Sequence, residues 1–119
     1  MNKIKNLDEL SSFLVEKYHV ELAFIPDVVK DIKAINKGNR THVLAMIIMR
    51  AKQGPLFVPD GVAKSLNGDL NGYAKIKSKS LNVRIIYRPV PGIPIRMELI
   101  AIGPREKKKV YTMAAERLL

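Results

Sequence analysis

Three short runs, packed into one stretch of the chain, limit its fold more than any other feature. Tyr73–Ser78, Leu81–Arg88 and Arg96–Ile102 are rich in β-branched and aromatic residues, and two connections, Lys79-Ser80 and Pro89-Val90-Pro91-Gly92-Ile93-Pro94, separate them. Runs this short and this closely joined predict strands; the first two form a hairpin through Lys79-Ser80. The prolines of the second connection predict a stiff loop with a turn at Pro91-Gly92. On the middle strand, Val83, Ile85 and Tyr87 point one way, and Arg84, Ile86 and Arg88 the other. Arg96–Ile102 is apolar on both sides in its second half, as a central strand is. It stops at Gly103-Pro104, and Arg105 follows in the turn. Glu106–Leu118 has helical periodicity, which sets Lys107 and Tyr111 four apart on one stripe.

Charge singles out the same stretch. The net charge is +10 over 119 residues. From Asn71 onward there are 11 Lys or Arg against 3 Glu, a net of +8; residues 1–70 carry 10 against 8, a net of +2. A patch this lopsided attracts polyanions through counterion release and points to nucleic acid or an acidic partner. The plain alternative is that lysines keep a small domain soluble. Other classes are excluded more simply. The chain has no Cys, so it offers no disulfide or thiolate metal site, and its two His, at 19 and 42, form no zinc constellation. No metal or cofactor is therefore expected. The longest apolar run, Val43–Met49, is too short to span a bilayer, and the N-terminus lacks a signal peptide. A soluble cytoplasmic protein with no membrane partner is the expectation, and the length suits one domain.

The earlier part of the chain reads as helices around one strand. Leu7, Leu10, Leu14 and Tyr18 mark one side of a helix with Asp8 and Glu9 in its first turn. Val20–Ile25 is a short first strand. Pro26 and Asp27 open a second helix, with Val28, Ile32 and Ile35 on one face and a stop at Lys37-Gly38. Asn39–Gln53 is a third helix, capped by Asn39 or Thr41; its length and the Gly54-Pro55 stop favour a helix over a buried strand. Gly54–Gly72 is loop-rich, with a helical turn expected at Val62–Leu66.

Several site residues follow from this layout. Lys75 and Lys77 are two apart on one strand face, Arg84 lies on the neighbouring strand, Arg105 follows a strand end, and Tyr111 sits on a helix. Each has a structural alternative. The two lysines would also suit the solvated face of an edge strand. Arg84 would pair with Glu98 or Glu106 in a structural ion pair. Tyr111 would be core, because Ala115 and Leu118 continue its stripe. Lys107, Lys108 and Lys109 form a solvated helix face that also suits contact with RNA. His19 and His42 read as surface residues.

Gly72-Tyr73-Ala74-Lys75-Ile76-Lys77, Val83-Arg84-Ile85-Ile86-Tyr87, Ala101-Ile102-Gly103-Pro104-Arg105-Glu106 and Val110-Tyr111 follow one another in register over roughly 50 residues. This series resembles the RelE toxins of the RelE/ParE superfamily, which are ribosome-dependent mRNA endonucleases. The resemblance implies an α+β fold, with an antiparallel sheet of about four strands packed against a two-helix hairpin, a C-terminal helix, and the basic site on the open side of the sheet. Residues 19–119 would be the toxin domain and residues 1–18 an extra N-terminal helical extension. The implied activity is metal-independent mRNA cleavage in the ribosomal A site, within a type II toxin–antitoxin system. The implied partners are a cognate antitoxin, the ribosome with its rRNA, and mRNA.

The resemblance also assigns roles. Metal-free RNA cleavage needs a base for the 2′-OH, cations for the charge on phosphorus, and an acid for the leaving 5′-oxygen. Lys75 or Lys77 would be the base, since neighbouring like charge disfavours the charged form of a lysine. Arg84 would grip the phosphate, Arg105 would stabilise the leaving oxygen, and Tyr111 would orient or stack on the substrate. Lys79, Arg88, Lys107, Lys108 and Lys109 would contact RNA. The chain departs from the pattern at Pro104, where relatives carry His or Lys, in its N-terminal helix and in the loop from Gly54 to Asn67. Three other readings stay open on the sequence: a ParE-like gyrase inhibitor, which usually lacks the full Lys, Arg and Tyr set; a non-catalytic nucleic-acid-binding module of the same fold; and a mobile-element or phage protein with a different target.

Overall fold

In the computed structural model, which describes residues 4–78 and 80–119, the chain runs α1 (Leu7–Tyr18), β1 (Val20–Phe24), α2 (Pro26–Lys33), α3 (Lys37–Gln53), β2 (Ala74–Lys77), β3 (Val83–Val90), β4 (Ile95–Pro104) and α4 (Lys109–Arg117). The strands form one sheet in the order β1-β4-β3-β2. The fold is α+β as expected, with a helix at each end. One pairing departs from the all-antiparallel expectation. β2 and β3, and β3 and β4, are antiparallel, but β1 runs parallel to β4 from Val20↔Ile95 to Phe24↔Leu99. Two successive hairpins fix the direction of β4, and β4 then slots beside a β1 laid down at the start of the chain. Sequence showed the hairpins and not which edge the last strand would join.

The sheet buries both faces, unequally. Ile76, Ile85, Tyr87, Met97, Leu99, Val20 and Leu22 meet Leu10 and Leu14 of α1, Val28 of α2, and Val43 and Ile47 of α3 in the main core. The α1 leucines are therefore central to the packing: Leu10 and Leu14 are fully buried. On the other face, α4 covers a smaller cluster of Ile86, Ile100, Ala101, Val110, Ala114 and Leu70. Val83, Ile85 and Tyr87 pack into or against the main core and Ile86 into the smaller one, as strand alternation requires.

Local differences from the sequence reading have local causes. The cap of α3 is Asn36, whose side chain accepts the Asn39 N–H at 3.3 Å, so Lys37-Gly38 open this helix instead of ending the previous one. Arg40 closes α2: its guanidinium donates to the carbonyls of Ile32, Lys33 and Ile35. β3 continues through Pro89 and Val90, leaving a shorter turn before β4. No helical turn forms at Val62–Leu66; a single 3-10 turn lies later, at Gly68–Leu70. The last helix is interrupted. Glu106–Lys108 is a 3-10 turn, Lys107 and Lys108 have φ of 53° and 57°, and α4 begins only at Lys109. Lys107 and Tyr111 therefore do not share a continuous helical stripe.

A β-bulge sets the phase of the last strand. Ile86 pairs with Ala101 but Tyr87 pairs with Leu99, so Ile100 is an extra residue on β4. Leu99 and Ile102 face the main core, whereas Ile100 and Ala101 both lie in the smaller one. The extra residue shifts the alternation by one position. Gly103 consequently comes under α4, where an added Cβ would lie 3.2 Å from Met113 Sδ and 3.6 Å from Val110 Cβ. The absence of a side chain at Gly103 lets α4 sit this close to the sheet.

Candidate functional site

Beyond Gly103 the same parity leads to Arg105. Its backbone N–H donates to the Asn82 carbonyl at 3.2 Å, which ties the turn after β4 to the residue just before β3. Together with the loop before β2 and the start of α4, this turn encloses a groove of about 650 Å³. Lys75, Arg105, Lys107, Lys108 and Tyr111 line it, so five of the sequence candidates meet in one place. Leu66 and Leu70, half-buried and buried, also line it, as do the exposed Asn67 and Asn82. Glu106 is the one carboxylate among its lining residues. Tyr111 is half-buried and packs against the smaller core, while the four cations are exposed. Tyr111 thus packs against the smaller core and also lines the groove.

Two further candidates lie on the sheet beside the groove rather than in its lining. Lys77 is directly opposite Arg84, and Arg84 is opposite Gly103, in one row across β2, β3 and β4. Side chains directly opposite on a sheet are close neighbours, and like charges there repel. Lys77 also borders a second recess, of about 260 Å³, at the free edge of β2 with Met46, Met49 and Ile76. Lys109 is exposed in the first turn of α4, outside the groove lining. Lys79 lies outside the described residues.

The arginines separate into two sets. The chain contains seven. Arg40 caps α2; Arg50 donates to the Tyr87 hydroxyl at 3.0 Å; Arg88 and Arg96 pair with Glu98, Arg96 also with Glu21; Arg117 grips Asp31. Among the described residues, Arg84 and Arg105 alone have neither a carboxylate partner nor a side-chain bond beyond an adjacent residue; Arg84 donates only to the Val83 carbonyl, at 3.1 Å. The structural ion pair of Arg84 with Glu98 or Glu106 is not formed. Glu98 is engaged elsewhere: the Arg88 hydrogen bond, at 2.6 Å, holds its carboxyl below the ordinary value, and the same bond raises Arg88. Arg88, a candidate for RNA contact, is thus paired with Glu98 on the neighbouring strand, with its side chain half exposed.

The sequence reading did not single out Asn67, Asn82, Leu66 or Leu70. The loop that carries three of them is folded by its own backbone: Leu66 N–H donates to Tyr73 O at 2.8 Å, and Tyr73 N–H to Leu70 O at 3.0 Å. Ser65 Oγ accepts from Gly72 N–H and donates to Asn71. A run of Asn, Gly and Asp announces a loop but not which of its side chains face a site.

Comparison with known proteins bears on the fold. No protein-family model and no curated protein matches the chain. Among solved structures, the chain is similar to a doubly substituted variant of the E. coli toxin RelE in the free state, at 23% identity and a TM-score of 0.60, over 82% of this chain and 96% of that one. It is also similar to the same variant in complex with an antitoxin RelBc peptide, at 22% identity and a TM-score of 0.56, over 82% and 96%. The chain has a RelE-like toxin fold.

Proposed function

We propose that this protein is the toxin of a type II toxin–antitoxin system and a metal-independent endoribonuclease that cuts mRNA in the ribosomal A site. The observation that carries the reading is the pair of arginines left over by the fold. Arg84 and Arg105 have no carboxylate partner among the described residues, Arg84 bonds only the adjacent Val83 carbonyl, and it stands opposite Lys77 with no counter-charge. Stability alone disfavours this arrangement, and a bound phosphate relieves it.

The residues suit an internal transesterification. Lys75 takes the proton from the 2′-OH, and the 2′-oxygen attacks phosphorus. Arg84 and Lys77 neutralise the charge that builds on the phosphoryl oxygens. The bond to the 5′-oxygen breaks; Arg105 stabilises the negative charge on that oxygen as it leaves, and solvent water donates the proton that makes it a 5′-OH, while Lys75 returns its proton to solvent. Tyr111 offers its ring to an adjacent base. The products are a 2′,3′-cyclic phosphate and a 5′-OH. Lys107, Lys108 and Lys109 add sequence-independent attraction to RNA and rRNA. A cognate antitoxin neutralises the toxin, a reading supported by the likeness to a RelE variant bound to an antitoxin peptide. Action on ribosomes places the protein in the cytoplasm; no helix among the described residues is long and apolar enough to cross a membrane.

End chemistry tests this mechanism. Fragments from translated mRNA should carry 5′-OH ends that ligate only after phosphorylation. Ends that already carry a 5′-phosphate would contradict it.

A further inference from the structure

We infer that Asn67 and Asn82 read the base of the nucleotide seated in the groove, and so set which codons are cut. The inference rests on the endoribonuclease reading above and names the specificity of that site. The cations of the groove hold phosphate, which carries no sequence information. Discrimination between bases needs groups that both donate and accept hydrogen bonds at fixed positions, and a carboxamide does both. Asn67 and Asn82 are the two carboxamides among the groove's lining residues.

Both have fixed backbones and uncommitted side chains. The Asn82 carbonyl accepts the Arg105 N–H, which anchors the residue beside a proposed catalytic arginine. Its side chain makes no hydrogen bond among the described residues. Asn67 occupies the cap position of the 3-10 turn Gly68–Leu70, yet its side chain makes no capping bond. An asparagine at such a position normally spends its oxygen on the cap. The chain's other helix-capping asparagines do so: Asn6 caps α1 and Asn36 caps α3. Asn71, in the same loop, is held by Ser65 at 3.1 Å. Leu66, Leu70 and Tyr111 supply the apolar and aromatic surface against which an unstacked base lies flat, with its edge toward the amides. The groove volume, about 650 Å³, falls within the usual range for small-molecule sites, roughly 300–1,000 Å³.

The test is the cleavage spectrum. Ends produced from a pool of translated mRNAs are sequenced for the wild type, Asn82→Ala, Asn67→Ala and Lys107→Ala. The wild type should show a base preference at the cut. Each asparagine variant should lower the ratio of preferred to disfavoured base by roughly five-fold or more, the discrimination typical of a lost amide–base contact. Lys107→Ala should lower the rate and leave the ratio unchanged. A spectrum unchanged in both asparagine variants overturns the inference while leaving the nuclease reading intact, as does a Lys107→Ala spectrum altered like theirs. A wild type that cuts nothing overturns the nuclease reading and this inference with it.

Discussion

Asp31 and Arg117, 86 residues apart, join α2 to the end of α4 through two short hydrogen bonds, of 2.6 and 2.8 Å. Their side chains are 7% and 17% exposed. The pair also completes the sheet. β1 ends opposite Leu99, so β4 beyond that point has no strand on this side. Asp31 accepts the Ile102 N–H at 2.9 Å, and Arg117 donates to the Ile100 carbonyl at 2.8 Å. Two side chains thus replace a strand, and they anchor the helix that carries Tyr111. The hydrogen bond to Asp31 raises Arg117, which stays charged.

Removing one partner of such a pair leaves a buried charge and one unpaired backbone group: the Ile102 N–H without Asp31, the Ile100 carbonyl without Arg117. Asp31→Ala should cost about 3–5 kcal/mol, read from urea unfolding. Asp31→Asn with Arg117→Gln together should cost less than the sum of the two single changes, as expected for groups in contact.

Arg84 and Arg105 should behave in the opposite way. With no carboxylate partner, and for Arg84 only a bond to the adjacent Val83 carbonyl, Arg84→Ala and Arg105→Ala should change stability by no more than about 1 kcal/mol, while RNA cleavage is lost. Arg40→Ala, which removes the side-chain donor of the Lys33 and Ile35 carbonyls and leaves the Ile32 carbonyl a backbone donor, should destabilise by about 1–3 kcal/mol and leave the site chemistry in place. Thermal melts beside cleavage assays on the same preparations distinguish the two classes.

The N-terminal helix should be indispensable. Leu10 and Leu14 are fully buried against the sheet and α3, so Leu10→Ala and Leu14→Ala should each cost about 2–5 kcal/mol. Denaturant midpoints measure this directly.

Acid should weaken the ladder on the opposite face of the sheet. Glu98 has its pKa lowered from 4.5 by Arg88 and then by Arg96. Its contribution is therefore complete above about 4.5 and fades as pH falls through the lower folded value. Arg88 is half exposed, so the effect is at most about 1 kcal/mol. The gap in Tm between wild type and Glu98→Gln should be present at neutral pH and shrink below pH ~4.5.

Much of this architecture is written in periodicity and turn chemistry. The span Leu7–Tyr18 follows from its leucine spacing, and the alternation of Val83 to Arg88 places each side chain on its observed face. What was not legible depends mostly on tertiary partners. The bulge at Ile100 and the parallel seat of β1 arise where separate segments meet, and the left-handed backbone of Lys107 and Lys108 falls on residues whose type does not announce it. Of the candidate site, Lys75, Arg105 and Tyr111 were visible as a spaced set, and the structure gathers them in one groove. Asn67 and Asn82 were not, because nothing in a loop sequence distinguishes an amide that caps a turn from one left free.

Ribosome dependence is the most direct test of the central claim. Primer extension on an mRNA translated in vitro, with and without ribosomes, should give cuts inside A-site codons only when ribosomes are present. The cuts should vanish with Arg84→Ala and with Arg105→Ala. Intact mRNA beside a folded wild-type protein that still arrests growth would contradict the claim and point to another target, such as gyrase.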